Sequence, residues 1–196
     1  MTSKPPVGRG AARPWIDTLE FARSGGALGS SQQPADLPRL LDLLAGPEGS
    51  IDWALTGERR PRPEGGADTF LRLELKGSVS LECNRCLRSV QTEIGDSRLF
   101  KITATESQAE REDAQTDDYD ALVASPHFDV LEFVEDEAIL ALPIAPRHPD
   151  CSLPGAPADP AEAAPERPNP FAALAALKGR AARNDSDEDG DDGGNP

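Results

Sequence analysis

The stretch LRLELKGSVSLECNRC, residues 71–86, puts Leu71, Leu73, Leu75, Gly77, Val79, Leu81 and Cys83 at alternate positions, with mostly polar residues between them. A period of two sustained from Leu71 to Cys83 marks one long strand with a single buried face. Beyond Cys86 the alternation resumes at Val90, Thr92 and Ile94, and again from Leu99 to Ile102. This predicts a return strand, with a bulge at Gly95-Asp96. The pair Cys83 and Cys86 then sits at the tip of a long hairpin. Two strands alone are marginal in water. The strand-like run Ile51–Gly57 is therefore expected to join them, and the Pro, Arg and Gly segment 58–68 to form a solvated loop.

Helical segments are expected to cover one face of this sheet. Asp17 precedes an apolar turn holding Leu19 and Phe21, with Glu20 in reciprocal capping position and Gly25-Gly26 as the stop. A second helix is expected over residues 36–46, capped by Asp36 and stopped by Gly46, with Leu37, Leu40, Leu41 and Leu44 as its core stripe. Asp129, with Glu132 three residues on, opens a third helix that ends at Pro143. Leu131, Val134, Ala138 and Ala141 or Leu142 are expected to face the sheet, leaving Glu132, Glu135, Asp136 and Glu137 mostly in solvent. Residues 103–120, acidic and without apolar periodicity, read as a mobile connector. The expected class is α+β: an antiparallel sheet whose long hairpin carries a C-x-x-C knuckle, packed by a few short helices and flanked by disordered acidic tails.

The knuckle carries the clearest chemistry. Its two-residue spacing lets both sulfurs reach one tetrahedral cation, and the third cysteine, Cys151, follows His148 by three residues. Cys83, Cys86, His148 and Cys151 thus form a candidate Cys3His set for one structural zinc, delivered to the hairpin tip by the short chain after the third helix. A reducing compartment favours metal ligation or free thiols over a disulfide framework for an odd cysteine count. The same pair admits a second reading, a thiol redox protein. Reactive C-x-x-C pairs, however, sit at helix N-termini, and this one falls between strands.

The chain carries a net charge of −15, and three acidic clusters account for it. Residues 106–120, 129–137 and 185–192 hold them, whereas residues 15–104 are nearly balanced. Phosphate backbones are bound by clustered Lys and Arg, so this balance opposes general nucleic-acid binding. A local basic set, Arg85 and Arg88 on the knuckle with Arg98 and Lys101 on the return strand, remains for RNA. No apolar run is long enough to span a bilayer, and MTSKPPVGRGAARPW lacks the apolar region of a secretory leader. A cytoplasmic location with no membrane partner is expected. G-x-S-x-G, H-E-x-x-H and P-loop patterns are all missing. No enzymatic activity and no small-molecule substrate are expected, and His127 reads as a plain loop residue.

Outside the expected globular region, residues 15–152, lie segments of different character. Residues 1–14 read as a flexible lead-in, 153–168 as a Pro- and Ala-rich linker, and 184–196 as a disordered acidic tail. Between the last two, Asn169-Pro170-Phe171 opens a short amphipathic helix over 169–183. Phe171, Leu174 and Leu177 are its candidate partner-binding residues, together with Arg85 and Arg88 on the knuckle.

CNRCL, DYD, VEDEAILALPIAPRHPDC and NPFAALAALK together resemble the YceD family, named for large ribosomal RNA subunit accumulation, over residues 15–178. The family pattern falls on Cys83, Arg85, Cys86, Leu87, Glu135, Asp136, Glu137, Pro143, His148 and Cys151. The resemblance implies a bacterial cytoplasmic ribosome-biogenesis factor, without enzymatic activity, that supports accumulation of large-subunit (23S) ribosomal RNA. Its expected partner is a ribosomal protein or the large-subunit ribosomal RNA precursor. The charge balance favours the protein.

Overall fold

The structure, a computed structural model, describes Gly8–Arg9 and residues 13–155. Apart from Gly155 these belong to the first of the chain's two units, Met1–Pro154. Most of the lead-in and the linker, the whole 169–183 motif with Phe171, Leu174 and Leu177, and the acidic tail lie outside the described residues.

The long hairpin forms as its alternation dictates. Strands β4 (Gly49–Pro61), β5 (Ala67–Glu82) and β6 (Ser89–Thr103) pair antiparallel in unbroken register, the β5–β6 ladder running from Glu82↔Ser89 at the knuckle to Phe70↔Lys101 at the far end. The pairing departs from the expected pattern at two places. Lys76↔Gly95 and Leu75↔Asp96 continue the one-to-one pairing, so no bulge interrupts β6 at the glycine. Asp96 and Arg98 simply occupy the inward phase that Ile94 leaves and Phe100 resumes. The expected loop 58–68 is likewise shorter, because Glu58↔Phe70 through Pro61↔Ala67 extend the β4–β5 ladder.

β3 (Ala27–Gln32) adds antiparallel to β4, giving the antiparallel centre that the sequence predicts. The outermost pairs run parallel: β1 (Gly8–Arg9) beside β3, and β7 (Asp120–Val123) beside β6. A separate antiparallel ribbon joins β2 (Trp15–Ile16) to β8 (Phe128–Asp129).

Ile51, Trp53 and Leu55 of β4 share one face with Leu71, Leu73, Leu75, Val79 and Leu81 of β5 and with Val90, Ile94, Phe100 and Ile102 of β6, and all are buried. Helix α1 (Thr18–Ser24) is capped as its sequence predicts: the Asp17 carboxylate accepts the Glu20 N–H at 2.9 Å, and Gly25 turns left-handed. It lies so close to β4 that a Cβ on Gly57 would sit 2.5 Å from the Phe21 carbonyl oxygen and 2.7 Å from the Ala22 Cα. Gly57→Ala must push the helix off the strand. We expect it to cost about 1–3 kcal/mol, read as a lower urea midpoint with an unchanged slope.

The expected second helix is reduced to a 3-10 turn, Pro34–Asp36, and a single helical turn, α2 (Pro38–Leu41). Asp36 closes the preceding turn onto the Gln33 N–H and does not cap α2. The chain then leaves the helix, and the Ala45 N–H is taken by the Ser80 carbonyl. Within the expected connector, α3 (Glu106–Asp113) forms instead. Glu112 fixes it by accepting from Lys101 Nζ at 2.8 Å and from the Tyr119 hydroxyl at 2.7 Å.

α4 (Val130–Leu140) starts at Asp129, whose carboxylate accepts the Leu131 and Glu132 N–H groups. It buries Val130, Phe133, Val134 and Ala138, with Phe133 edge-on to both Phe100 and Phe128. Two of its acids are buried as well, contrary to expectation: Glu135 is 3% exposed and Glu137 6%. Glu135 accepts the backbone N–H groups of Arg39 and Leu40 at 2.7 and 3.1 Å and the Arg39 Nε at 3.1 Å, so it caps α2 from across the fold.

Glu137 faces the inner polar positions of β6, with Oε2 3.4 Å from Arg98 Nε. Arg98 also pairs with Asp96 and Asp120. Burial pushes the Glu137 carboxyl up, and Arg98 only partly offsets it. Because the folded state holds this proton more tightly, stability is full below the unfolded value, about 4.3, and declines as pH rises through the higher folded one. Glu137→Gln should therefore melt like the native protein near that lower limit and above it at neutral pH. Parallel melting curves across this range check the sign.

Candidate metal centre

The β5–β6 turn supplies the first two donors. The Cys83 N–H bonds the Arg88 carbonyl and the Leu87 N–H bonds the Cys83 carbonyl, both at 2.9 Å, while Leu87 takes φ 60°. This tight knuckle aims Cys83 and Cys86, both buried, at a single point. After α4 the chain returns to the same tip, where the Asn84 N–H donates to the Pro146 carbonyl at 2.9 Å. That contact sets down His148 and Cys151 beside the knuckle. The four residues that the sequence singles out are thus brought together, and their ligand atoms all lie within 4.8 Å of one another.

The distances fit a tetrahedral cation. With metal–sulfur bonds of about 2.3 Å and metal–nitrogen bonds of about 2.0–2.1 Å, the edges of the tetrahedron are roughly 3.8 Å between sulfurs and 3.6 Å between sulfur and nitrogen. Cys83 Sγ lies 3.7 Å from Cys151 Sγ, and Cys86 Sγ lies 3.4 Å from His148 Nδ1. All three cysteines are free thiols. The outer partners suit the same purpose: His148 Nε2 lies 3.0 Å from the Ser89 carbonyl, and donation to it leaves Nδ1 bare toward the sulfurs.

Electrostatics prepare two of the four donors, Cys83 and Cys86, for ligation, whereas Cys151 and His148 hold their protons until an ion displaces them. Burial opposes ionisation of Cys83, yet the backbone N–H groups of Cys86, Arg85 and His148, with the His148 ring, bring its pKa down to about 5. For Cys86 the Arg88 N–H lowers the pKa against burial, and the Arg88 side chain adds to it. Burial and the neighbouring sulfurs push Cys151 up. His148 is raised by Cys83 foremost, with burial opposing.

Of the candidate partner residues, Arg85 donates through Nη1 to the Cys151 carbonyl at 2.8 Å, and the Arg88 side chain reaches the Cys86 sulfur. Both basic groups of the knuckle are turned toward the cluster. Arg98 is held by carboxylates, and Lys101 pairs with Asp68 and Glu112. His127 is a loop residue, but it stacks on Trp15 with ring centroids 4.3 Å apart. Neither a motif nor a period in the sequence links those two rings, which only the β2–β8 pairing brings together.

Fold and cluster together define an α+β protein with a Cys3His donor set closing the tip of its longest hairpin onto the chain beyond its last described helix. Within that class the chain belongs to the YceD family: the family model described as "Large ribosomal RNA subunit accumulation protein YceD" matches residues 71–178. The match starts in β5 and takes in all four donors. No solved structure matches the chain. Among the described residues, no helix is long and apolar enough to cross a membrane.

Proposed function

We propose that this protein is a cytoplasmic, non-catalytic ribosome-biogenesis factor that supports accumulation of large-subunit ribosomal RNA by protein contact, with one structural zinc in the cluster. The observation that carries the zinc reading is the closed donor set. Four protein ligands fill a tetrahedral shell, which leaves no open position for water or substrate and suits a structural rather than a catalytic ion. Cys83, Cys86, His148 and Cys151 hold the ion, which ties the tip of the β5–β6 hairpin to the chain after α4. A thiol redox role fits less well, since the pair lies in a turn between strands and not at a helix N-terminus.

Family membership supports the ribosomal assignment, and charge supports a protein partner over RNA. The net charge is −15, and Arg85, Arg88, Arg98 and Lys101, the local basic set that could meet phosphates, are engaged within the fold. An acidic surface instead attracts and shields a basic ribosomal protein. A second contact is assigned to the 169–183 segment, in which Phe171, Leu174 and Leu177 form an apolar stripe at helical spacing. Changing Phe171 and Leu174 to alanine should leave the melting temperature unchanged while reducing recovery of the partner in a pull-down. A fall in melting temperature would assign those residues to packing instead. The class as a whole is tested by a sucrose-gradient profile of a deletion strain: large-subunit RNA should fall and its precursors rise, and unchanged profiles would overturn the reading.

A further inference from the structure

At the end of the fold where α4 begins, a groove of about 360 Å³ is walled by Trp15, His127 and Phe128 and rimmed by Asp129, Glu132 and Asp136. The three acids are three and four residues apart, so they line one face of the α4 N-terminus. Two already hold a guanidinium: Arg13 Nε lies 2.6 Å from Asp129, and Arg39 Nη1 lies 2.6 Å from Asp136. The Glu132 carboxylate, between them and exposed, has no side-chain partner among the described residues. The Arg39 guanidinium is shared with the buried Glu135, so the three rim carboxylates outnumber the cations that face them and Glu132 is the one left unpaired.

Beside it stands an aromatic wall with an open side. Trp15 stacks on His127 at 4.3 Å, with the ring planes 15° apart, and is still 49% exposed. An aromatic face next to an unpaired carboxylate is the environment that a lysine or arginine side chain prefers, stem on the ring and head on the acid. We propose that this groove receives one cationic side chain of a basic protein segment, its head on Glu132 and its stem against the Trp15–His127 stack. The assignment rests on the protein-contact reading and gives it a place, away from the Cys3His cluster. Phosphate groups meet three carboxylates here, so RNA is the disfavoured occupant.

The test uses the full-length protein and a short fluorescein-labelled peptide of alternating lysine and glycine, followed by anisotropy. Glu132→Gln and Trp15→Ala are each expected to weaken binding about two- to fivefold. Glu110→Gln, an equal charge change on the exposed face of α3, should leave binding unaltered. Equal weakening by Glu110→Gln reduces the effect to net charge and overturns the groove, as does unchanged binding by both groove variants. Competition by single-stranded RNA that depends on Trp15 would assign the site to RNA and also overturns it. Glu132→Gln replaces an exposed group with its near-isostere, so an unchanged melting temperature shows that folding is not the cause. In cells, a deletion that perturbs large-subunit RNA while Glu132→Gln and Trp15→Ala are silent removes the groove and spares the ribosomal reading. A silent deletion removes the ribosomal reading itself.

Discussion

Cys86→Ser, or treatment with a strong chelator, is expected to lower the melting temperature by about 10 °C or more, and the untreated protein is expected to carry about one zinc per chain. The size follows from what the ion joins. Cys86 and His148 are 62 residues apart in sequence, and a crosslink closing a loop of that length restricts the unfolded chain by about 4 kcal/mol. In a domain of this size each kcal/mol moves the midpoint by about 2–4 °C. Without the ion, three sulfurs and an imidazole also remain packed together with no cation between them. Cys86→Ser and chelation should therefore act through the same element and should not add. Substoichiometric zinc together with an unchanged melting curve in chelator would identify the four residues as packed thiols and a hydrogen-bonded imidazole.

The hairpin and its cluster were legible in the sequence because both are written in short-range spacing. Period-two alternation from Leu71 to Cys83 specifies the strand, two residues between Cys83 and Cys86 specify the knuckle, and His148 and Cys151 repeat the ligand spacing after a helix that Pro143 must end. What the sequence concealed depends on partners far along the chain. The Arg39–Glu135 contact spans 96 residues, and the Trp15–His127 stack needs two strands of two residues each, too short to show a period. Residues 103–120 read as a connector because α3 buries little besides Ala109 and is held by Lys101 and Tyr119 through Glu112. Glu137 is a different case. Val130, Phe133, Val134, Glu137 and Ala138 fall at the spacing of one helical stripe, so its burial was available from periodicity once its charge was set aside. Arg98 made that burial tolerable, and its position on the inner face follows from the unbroken register of β6.

Glu135→Ala is the second change with a large expected effect, about 2–4 kcal/mol of stability. The carboxylate is 3% exposed and accepts two backbone N–H groups, those of Arg39 and Leu40, in the first turn of α2. A helix of four residues has few internal bonds of its own, so the Glu135 Oε1 that accepts both N–H groups holds its start, and alanine leaves both donors orphaned. The Arg39 guanidinium completes the contact with Nε on Glu135 and Nη1 on Asp136, but its side chain is half in water and contributes much less. The expected order of destabilisation is thus Glu135→Ala, then Glu135→Gln, which keeps one acceptor oxygen, then Arg39→Met, which leaves the cap in place. Urea unfolding of the three variants measures it. If Arg39→Met costs as much as Glu135→Ala, the ion pair and not the backbone cap joins α2 to α4. The consequence reaches the cluster, because α4 is the element that carries the chain toward His148 and Cys151. A domain that loses its α2 contact should also bind its metal more weakly, so zinc retention under mild chelation should fall in Glu135→Ala and stay near native in Arg39→Met.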